Sequence, residues 1–295
     1  MENYDSILNE QETKESKSFT PFDKDAWIQQ KQAERQSAFE RMDQTAAEIA
    51  TNGDLFQSCL DVMARFDRYS VGNILLLTSQ MPEATKLADF NTWKKSRCFI
   101  KKGENGIMLL EPGEEFRRED GSVGVNYNVK RVFDISQTTS RQQNVSTVNY
   151  DMRLLLKSMI RHSPCPVEIR EDMPDGIGAV YDPKEKKILM RQGMDGADIF
   201  RSLAQELAHA YFDKGNYNRN DHAFSGYCVA YTLCKRYGVD TSMFRFQNMP
   251  TSMQTMEAKD IRSQISNIRE CANQISMDMR RVLEKTAKNR NDQAR

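Results

Sequence analysis

The chain has 295 residues, and its 42 lysines and arginines balance its 42 aspartates and glutamates, so the formal net charge is zero. A neutral chain is not a uniformly basic nucleic-acid coat, and any binding to a polyanion must use a local cationic patch. Only 39% of the residues are hydrophobic, which indicates modest cores with polar margins. At about 150 residues per domain, the length favours two domains.

Apolar runs such as 74–77 are far shorter than the roughly 20 residues that cross a bilayer. The first residues are acidic and polar, unlike a secretory signal peptide. The six cysteines form no Cys-x-x-Cys pair, which is typical of reduced thiols in a cytosolic protein. We therefore expect a cytoplasmic protein with no membrane partner.

The first half of the chain starts with a polar tail and continues into two helical segments and a small sheet. Residues 1–22 are rich in Glu, Lys and Ser and bury too little apolar surface to order, which predicts a disordered tail. Apolar residues recur at helical spacing over 23–53 and again over 54–81, where Pro82 ends the pattern. The next predictions are a hairpin, a charged loop and a strand, over 98–110, 111–124 and 127–135 respectively.

The second half alternates short strands with longer helices. A stretch over 136–147 is rich in Gln, Ser and Thr and predicts a linker. Apolar runs between turn residues predict three strands, at 167–169, 179–181 and 187–190. Helical spacing predicts four helices, at 152–160, 195–212, 224–237 and 256–283. The two halves together indicate an α+β fold.

Residues 93–102 combine five cations with two aromatic side chains and no acid. If the segment is a strand, alternate side chains share one face, which would place on the same side Lys95, Arg97, Phe99 and Lys101. Unpaired nucleic acid needs cations for its phosphates and aromatic faces for its bases, each stacked base contributing roughly 1–3 kcal/mol. A charge run of this kind is also common on an ordinary solvated surface, so the pattern alone singles out no ligand.

Four short motifs follow one another in the first half of the chain. They are an Asn-Ile-Leu-Leu block, a Gln-x-Pro block, a tryptophan and a Lys-Gly-Glu turn, within 69–77, within 80–85, at Trp93 and within 101–104. Over roughly residues 25–137 this order resembles the N-terminal domain of ArdC-type antirestriction proteins. The resemblance implies a domain that binds single-stranded DNA, in a protein carried by conjugative plasmids and related mobile elements and thought to shield incoming DNA from host restriction.

The resemblance also suggests which side chains contact DNA. The first candidates are Asn73, Trp93, Lys94, Lys95, Arg97, Phe99, Lys101 and Lys102. Two cations of the last predicted strand in this half, Lys130 and Arg131, are second candidates. Two of the first candidates have structural alternatives, since a tryptophan beside a hairpin is often a core residue and an asparagine can cap a helix or form a turn.

The second half contains part of a metallopeptidase motif. Glu206 and His209 lie in a predicted helix that resembles the active-site helix of zincin metallopeptidases, whose motif is His-Glu-x-x-His. In that motif two histidines bind zinc, and the glutamate activates the zinc-bound water. Here Gln205 stands at the first histidine position, and Ser225 or Tyr227 stands where an acidic third ligand is expected. A catalytic zinc normally has three protein ligands, so the pattern predicts a degenerate, non-catalytic zincin-like domain.

A displaced metal site is the alternative. Its ligands would be His209 with His222 and Asp221, and Asp213 is another possible oxygen ligand. The protein would then be a zinc-dependent peptidase with an altered ligand set and with Glu206 as its catalytic base. The remaining histidine, His162, is expected at the surface, near a helix end. The first expectation is that no cofactor is bound, and zinc belongs to the alternative.

The predicted organisation has five parts: a disordered tail, an ArdC-like single-stranded-DNA-binding domain, a linker, a degenerate zincin-like domain and a basic tail, at 1–22, 23–137, 138–147, 148–284 and 285–295. The predicted fold is α+β, with a small helix-plus-sheet domain followed by a zincin-like domain of a short sheet and several helices. The predicted partner is single-stranded DNA. The narrow apolar seam over 256–283 also suggests a protein partner for the second domain, although packing within its own domain would explain the seam equally.

Overall fold

The computed structural model describes residues 23–140 and 150–293, with side chains up to residue 284. The predicted tail 1–22 lies outside the described residues, as do most of the predicted linker 138–147 and the side chains of the predicted basic tail 285–295. None of the helices in the described ranges is both long and apolar enough to cross a bilayer.

The helices and strands confirm the predicted α+β class. The helices are α1 Lys24–Thr51, α2 Gly53–Arg65, α3 Val71–Gln80, α4 Phe90–Lys95, α5 Met152–Arg161, α6 Gly196–Phe212, α7 Arg219–Tyr237, α8 Thr251–Gln254 and α9 Ala258–Gln293. The strands are β1 Leu87–Ala88, β2 Ile107–Arg117, β3 Val123–Asp134, β4 Val167–Arg170, β5 Ala179–Asp182 and β6 Lys187–Arg191.

Polar side chains set the starts of the first three helices. Asp23, Asn52 and Ser70 each accept a hydrogen bond from a backbone N–H of the first helical turn, which satisfies a donor that the helix itself leaves open. The single helical segment predicted over 54–81 is two helices, because the chain leaves α2 at Phe66 and a new cap starts α3.

A three-stranded antiparallel sheet, ordered β1-β3-β2, packs against α1 and α3. Its long hairpin pairs from Ile107 opposite Val132 to Arg117 opposite Val123. The charged loop predicted over 111–124 is wrong, since most of these residues belong to the two strands. This part of the hairpin projects beyond the core with most side chains of both faces exposed. Its sequence therefore has the polar composition of a loop.

The second half forms a smaller sheet, ordered β4-β6-β5, in which β4 is parallel and β5 antiparallel to β6. α6 packs against β5 and α7, while α9 packs against α1, α5 and α7. The apolar seam predicted over 256–283 is buried in these contacts, which supports packing within the chain. The strands and helices predicted for this half are all present. α7 begins several residues before its predicted start, and α9 ends several residues after its predicted end.

One hydrophobic core connects the two halves of the chain. Phe56 of α2 packs against Phe224 of α7 and against Phe246, with ring centroids 5.4 and 5.8 Å apart. A Cβ on Gly53 would lie only 1.7 Å from the Phe246 carbonyl oxygen, so this close approach needs glycine. The two predicted domains thus share a core, and the boundaries given above stay a prediction.

Candidate functional site

The cation-rich segment 93–102 is the end of a helix followed by a turn, and the strand predicted there is wrong for its first half. Asp89 caps the N-terminus of α4, and its side chain accepts a hydrogen bond from Thr92 N–H. Two residues after α4 ends, Arg97 has a φ of 56°. A non-glycine residue in this left-handed conformation is uncommon, and it marks the turn that ends the helix.

The last residues of the segment are extended. Thr139 N–H donates to the Phe99 carbonyl oxygen at 2.7 Å, and Lys101 N–H donates to the Gln137 carbonyl oxygen at 2.9 Å. Phe99 and Lys101 therefore lie two residues apart on one side of a short extended piece. Lys95 lies in α4 and Arg97 lies in the turn. These two residues therefore do not share a strand face with Phe99 and Lys101, as the sequence predicted.

Trp93 is a core residue and not a platform for a base. Its side chain is 3% exposed, and its indole Nε1–H donates to the Phe133 carbonyl oxygen at 2.8 Å. Because a base stacks only on an accessible ring, this burial favours the core alternative for Trp93 over the predicted DNA contact. Two other aromatic side chains near this segment are exposed, Phe90 at 55% and Phe99 at 58% of their surface.

Asn73 is also structural, because it closes the free edge of the first sheet together with Gln80. The Asn73 carboxamide on α3 donates to the Leu110 carbonyl oxygen and accepts from Leu110 N–H, both at 2.8 Å. Gln80, two turns along the same helix, makes the same pair of bonds with Met108 at 2.9 Å each. These bonds satisfy the donors and acceptors that an edge strand exposes. These two bonds give Asn73 a structural role, and the DNA contact stays a prediction that they do not favour.

The two second candidates, Lys130 and Arg131, lie on β3 and have weak surface partners. Lys130 Nζ is 3.2 Å from Glu111 Oε2, and Arg131 Nη1 donates to the Gly106 carbonyl oxygen at 3.2 Å. An exposed ion pair contributes only about 0–1 kcal/mol. A phosphate can replace such partners, so both residues stay candidates.

The remaining candidates form one exposed surface, which we call the cationic turn: Lys94, Lys95, Arg97, Lys101 and Lys102, with the rings of Phe90 and Phe99. Within the described part of the chain, none of its five cations is paired with a carboxylate. Lys101 Nζ donates to the Ser136 carbonyl oxygen at 2.7 Å. The charge of this surface is therefore available to an anion.

The second candidate site lies on α6, which carries Glu206 and His209 on its buried face. The Glu206 carboxylate accepts two hydrogen bonds from the Arg219 guanidinium, at 2.8 and 2.6 Å. It accepts a third from Tyr181 N–H at 2.7 Å. A bidentate pair of this kind is strong and fixes the carboxylate. Glu206 is thus paired with a cation of the chain itself.

His209 is fully buried between α6 and α7. Its Nδ1 lies 2.7 Å from the Tyr217 hydroxyl oxygen, while Nε2 has no hydrogen-bond partner within the described structure. A Cβ on Gly226 would lie 3.1 Å from Nε2, so this nitrogen faces the backbone of α7. Burial lowers the pKa of His209 to about 4, although the negative charge of Glu206 opposes the shift. The imidazole is neutral at pH 7.

The residues expected at a displaced metal site do not converge on His209. Asp213 accepts a hydrogen bond from Tyr181 OH at 2.9 Å and pairs with Lys186, and the Lys186 hydrogen bond is the main cause that lowers the pKa of Asp213 to about 2. His222 stacks on Tyr217 with ring centroids 5.8 Å apart. Asp221 lies in the first turn of α7, and the remaining histidine, His162, follows the last residue of α5.

The donors of this cleft do not fit a zinc ion. No three side chains of His, Cys, Asp or Glu come together as a metal site in residues 23–140 and 150–284. His209 offers one nitrogen, Arg219 holds the neighbouring carboxylate, and Gln205 offers only a neutral amide. Because protein zinc sites use three or four N, O or S ligands at about 2.0–2.3 Å, this set is incomplete.

Sequence reasoning missed the residues that surround Glu206 and His209. Arg219 follows Glu206 by 13 residues, a separation that carries no recognised motif. Tyr217 lies in the loop before α7, and Tyr181 contributes its backbone N–H to Glu206 and its hydroxyl to Asp213. Only the packing of β5, α6 and α7 brings these groups together, so no pattern in the sequence predicts that they are neighbours.

Comparison with known proteins relates the chain to one family. Residues 37–149 match the family model for the N-terminal domain of anti-restriction factor ArdC. The metal-free crystal structure of the antirestriction protein ArdC from the R388 plasmid has 15% sequence identity and a TM-score of 0.51, over 72% of this chain and 86% of that chain. The Mn(II)-bound structure of that protein has 16% identity and a TM-score of 0.50, over 72% and 85%. At this identity the likeness is one of fold alone.

A curated relative from Bacillus anthracis, the uncharacterized protein pXO2-81, is 26% identical over 234 residues. The match covers 61% of this chain and 40% of the relative, so this chain spans about two fifths of the relative's length. A match of this extent relates the two sequences without assigning an activity to either.

Proposed function

We propose that the protein binds single-stranded DNA of a mobile element and protects it from restriction, because residues 37–149 match the family model for the N-terminal domain of anti-restriction factor ArdC. The cationic turn is the proposed DNA-binding surface. The second half is proposed to be a zincin-like domain that no longer hydrolyses peptides.

The observation that carries the DNA-binding proposal is the cationic turn. Five cations lie within nine residues, and two exposed rings lie beside them. Phe90 and Lys94 are one helical turn apart on α4, so the ring and the ammonium group share a face. Cations that follow phosphates and rings that stack on bases are the two requirements for binding an unpaired strand. In a chain with zero net charge, this local concentration supports a polyanionic ligand.

The test removes three charges of the cationic turn in one variant, Lys95→Ala, Arg97→Gly and Lys102→Ala. Glycine is used at position 97 because the φ there is 56°, and glycine adopts it without a steric cost. Binding of a fluorescent oligo-dT strand is measured by anisotropy between about 50 and 200 mM salt. We expect about tenfold or greater loss of affinity and a log–log salt slope that is shallower by about 2.

The matched control removes three exposed cations from α5, with Arg153→Ala, Lys157→Ala and Arg161→Ala. This variant should bind the oligonucleotide like the unchanged protein. Equal losses in both variants would mean that only overall charge matters. No binding by the unchanged protein at low salt would refute the proposal.

The proposal of an inactive second domain is supported by the partners of the motif residues. The Arg219 guanidinium pairs with the Glu206 carboxylate. His209 Nε2 faces α7, and no second metal ligand lies near it among the side chains that the structure describes. A peptidase of this type needs a free carboxylate beside a metal-bound water. The donor set therefore favours a scaffold role over the zinc-dependent peptidase.

Metal analysis tests this second proposal directly. The protein is purified without chelators, and its zinc and manganese contents are measured by plasma mass spectrometry. We expect well below one ion per chain, and no rise in melting temperature on adding either metal, because only a ligand that binds the folded state raises it. A chelator-treated sample is the control. One ion per chain would contradict the proposal and favour the peptidase, whose activity Glu206→Gln should then abolish.

A further inference from the structure

The strand β4 lies at an open edge of the second sheet, because β6 is its neighbour on one side and no strand lies on the other within the described residues. Ile188 N–H donates to the Pro166 carbonyl oxygen at 2.9 Å, which fixes the phase of the ladder between β4 and β6. The groups that face β6 therefore belong to Pro166 and to every second residue after it. The N–H and C=O groups of Val167 and Ile169 point away from β6 and have no hydrogen-bond partner in the described structure.

Ile169 adds apolar surface to this open edge. Its register partner on β6 is the buried Met190, so its side chain lies on the face of the sheet that α6 covers. α6 packs against β5 and β6, but Ile169 is left 62% exposed. A strand added at this edge would therefore remove apolar surface from water and also satisfy the free backbone groups.

Charges on the outer face of β4 restrict which strand can pair with it. Glu168 and Arg170 flank Ile169, and each of the two charged side chains is 42% exposed. Charges on a short edge strand normally discourage pairing with other chains, because like charges that lie opposite each other repel. Here the two charges have opposite signs, one on each side of Ile169. An antiparallel partner strand therefore needs a cation opposite Glu168 and an acid opposite Arg170.

A second copy of β4 meets this requirement. If two copies run antiparallel with Ile169 on a two-fold axis, Glu168 of each copy lies opposite Arg170 of the other. Ile169 then lies opposite its own equivalent, and its outward N–H and C=O groups form a pair of hydrogen bonds. The two flanking pairs are of the non-hydrogen-bonded kind, in which the Cα atoms are about 4.5 Å apart and the side chains are closest. A two-fold contact of this kind is self-complementary and closed.

The ion pairs within one chain leave room for these contacts. Arg170 donates to Asp172 through Nε and Nη2, both at 2.8 Å, while its Nη1 lies 3.3 Å from Glu168 Oε1. The other oxygen of Glu168 lies 3.0 Å from Lys187 Nζ. Exposed pairs of this kind contribute little to stability. Nη1 can therefore turn to Glu168 of a second copy while Asp172 and Lys187 keep their places.

We propose that β4 is a contact surface between two copies of this chain, which pair antiparallel about Ile169 and join their three-stranded sheets into one sheet. The proposal concerns assembly and is independent of the DNA-binding and zincin-like proposals. An edge of four residues buries less than a standard interface of about 1,600 Å². We therefore expect a weak dimer with a Kd of about 10–100 µM.

Charge reversal tests the proposed pairing. The unchanged protein, Glu168→Arg and Arg170→Glu are compared by sedimentation equilibrium between about 5 and 300 µM. In either variant like charges lie opposite each other at both flanking positions, so each variant should dimerise at least about tenfold more weakly. In an equimolar mixture of the two variants, one strand carries two cations and the other carries two acids. The mixture should recover the dimer, and this recovery also shows that both variants are folded.

A cross-linking experiment tests the register. Ile169→Cys places a thiol on the two-fold axis, where the Cα atoms are about 5.5 Å apart, a separation that a disulfide spans. Val167→Cys is the matched control on the same strand and face, because Val167 lies opposite Glu171 of the second copy. After mild oxidation, non-reducing gel electrophoresis should show a dimer for Ile169→Cys only. The unchanged protein accounts for any cross-links through its own six cysteines.

Three results would overturn the proposal. The mass of a single chain at every concentration would mean that the edge stays open. A dimer that both charge variants form as well as the unchanged protein would place the contact elsewhere. Equal cross-linking at positions 167 and 169 would mean that the strands have no fixed register. None of these results bears on oligonucleotide binding, which is measured separately.

Discussion

At the scale of single residues, His209 illustrates how burial decides chemistry. In a zinc site its Nε2 would be a ligand, but here this nitrogen faces Gly226 and Nδ1 bonds with Tyr217. The residue type matches the metallopeptidase motif, whereas its surroundings make it a neutral core imidazole. Trp93 and Asn73 follow the same rule, because each uses its polar group on the backbone of a neighbouring strand.

The lowered pKa of His209 predicts a loss of stability in mild acid. An unfolded histidine has a pKa of about 6.5, and the folded value is about 4, so the folded state favours the neutral form. The stabilisation is fully present above pH 6.5 and is lost as the pH falls from 6.5 towards 4. Its full size is about 3 kcal/mol.

Urea unfolding at a series of pH values measures this effect. Between about pH 6.5 and 5.5, above most of the range where ordinary carboxyl groups titrate, the free energy of unfolding should fall in the unchanged protein. It should fall much less in His209→Gln. Parallel pH profiles for the two proteins would show that another group is responsible.

At the scale of elements, the first sheet depends on a helix to close its edge. The two carboxamides of α3 bond to alternate residues of β2, which protects an otherwise open strand from pairing with another chain. Asn73 and Gln80 are thus motif residues with a structural reason to be there. The DNA contact predicted for Asn73 stays untested, whereas its two bonds to Leu110 account for its presence on α3.

The cationic turn is also a matter of elements. A helix of six residues, a left-handed Arg97 and a short extended piece replace the predicted strand. Helix α4 forms because Asp89 caps it and because Trp93, on its inner face, reaches the core. Alternation of charges along the sequence could not reveal this, because a six-residue helix and a strand share such a short pattern.

At the scale of the whole molecule, the two halves are held by one core, which predicts that they unfold together. Phe56 joins α2 to α7, and Phe200 is buried in the second half, where it packs against Tyr237. Replacing either by alanine leaves a cavity that costs about 3–5 kcal/mol. Because the core is shared, Phe200→Ala should also lower the unfolding midpoint that is measured at Trp93 in the first half.

Urea unfolding tests this with two probes, far-ultraviolet circular dichroism for the whole chain and Trp93 fluorescence in a Trp27→Phe background. Phe56→Ala and Phe200→Ala should lower both midpoints together, in one transition. Two separate transitions, or a Trp93 midpoint that Phe200→Ala leaves in place, would mean that the halves are independent domains.

The amino-acid sequence alone is enough to predict the α+β class, most elements of the second half and the relation to ArdC-type proteins, and it places Gln205 where the resembling metallopeptidase motif has its first histidine. These features depend on local periodicity, on caps and on residue type. Tertiary structure alone decided that Trp93 is buried, that Arg219 holds Glu206 and that Trp27 lines a groove with β3. Each of these depends on groups that lie 13 or more residues apart in the chain, and the energy of such contacts comes from packing that no local pattern encodes.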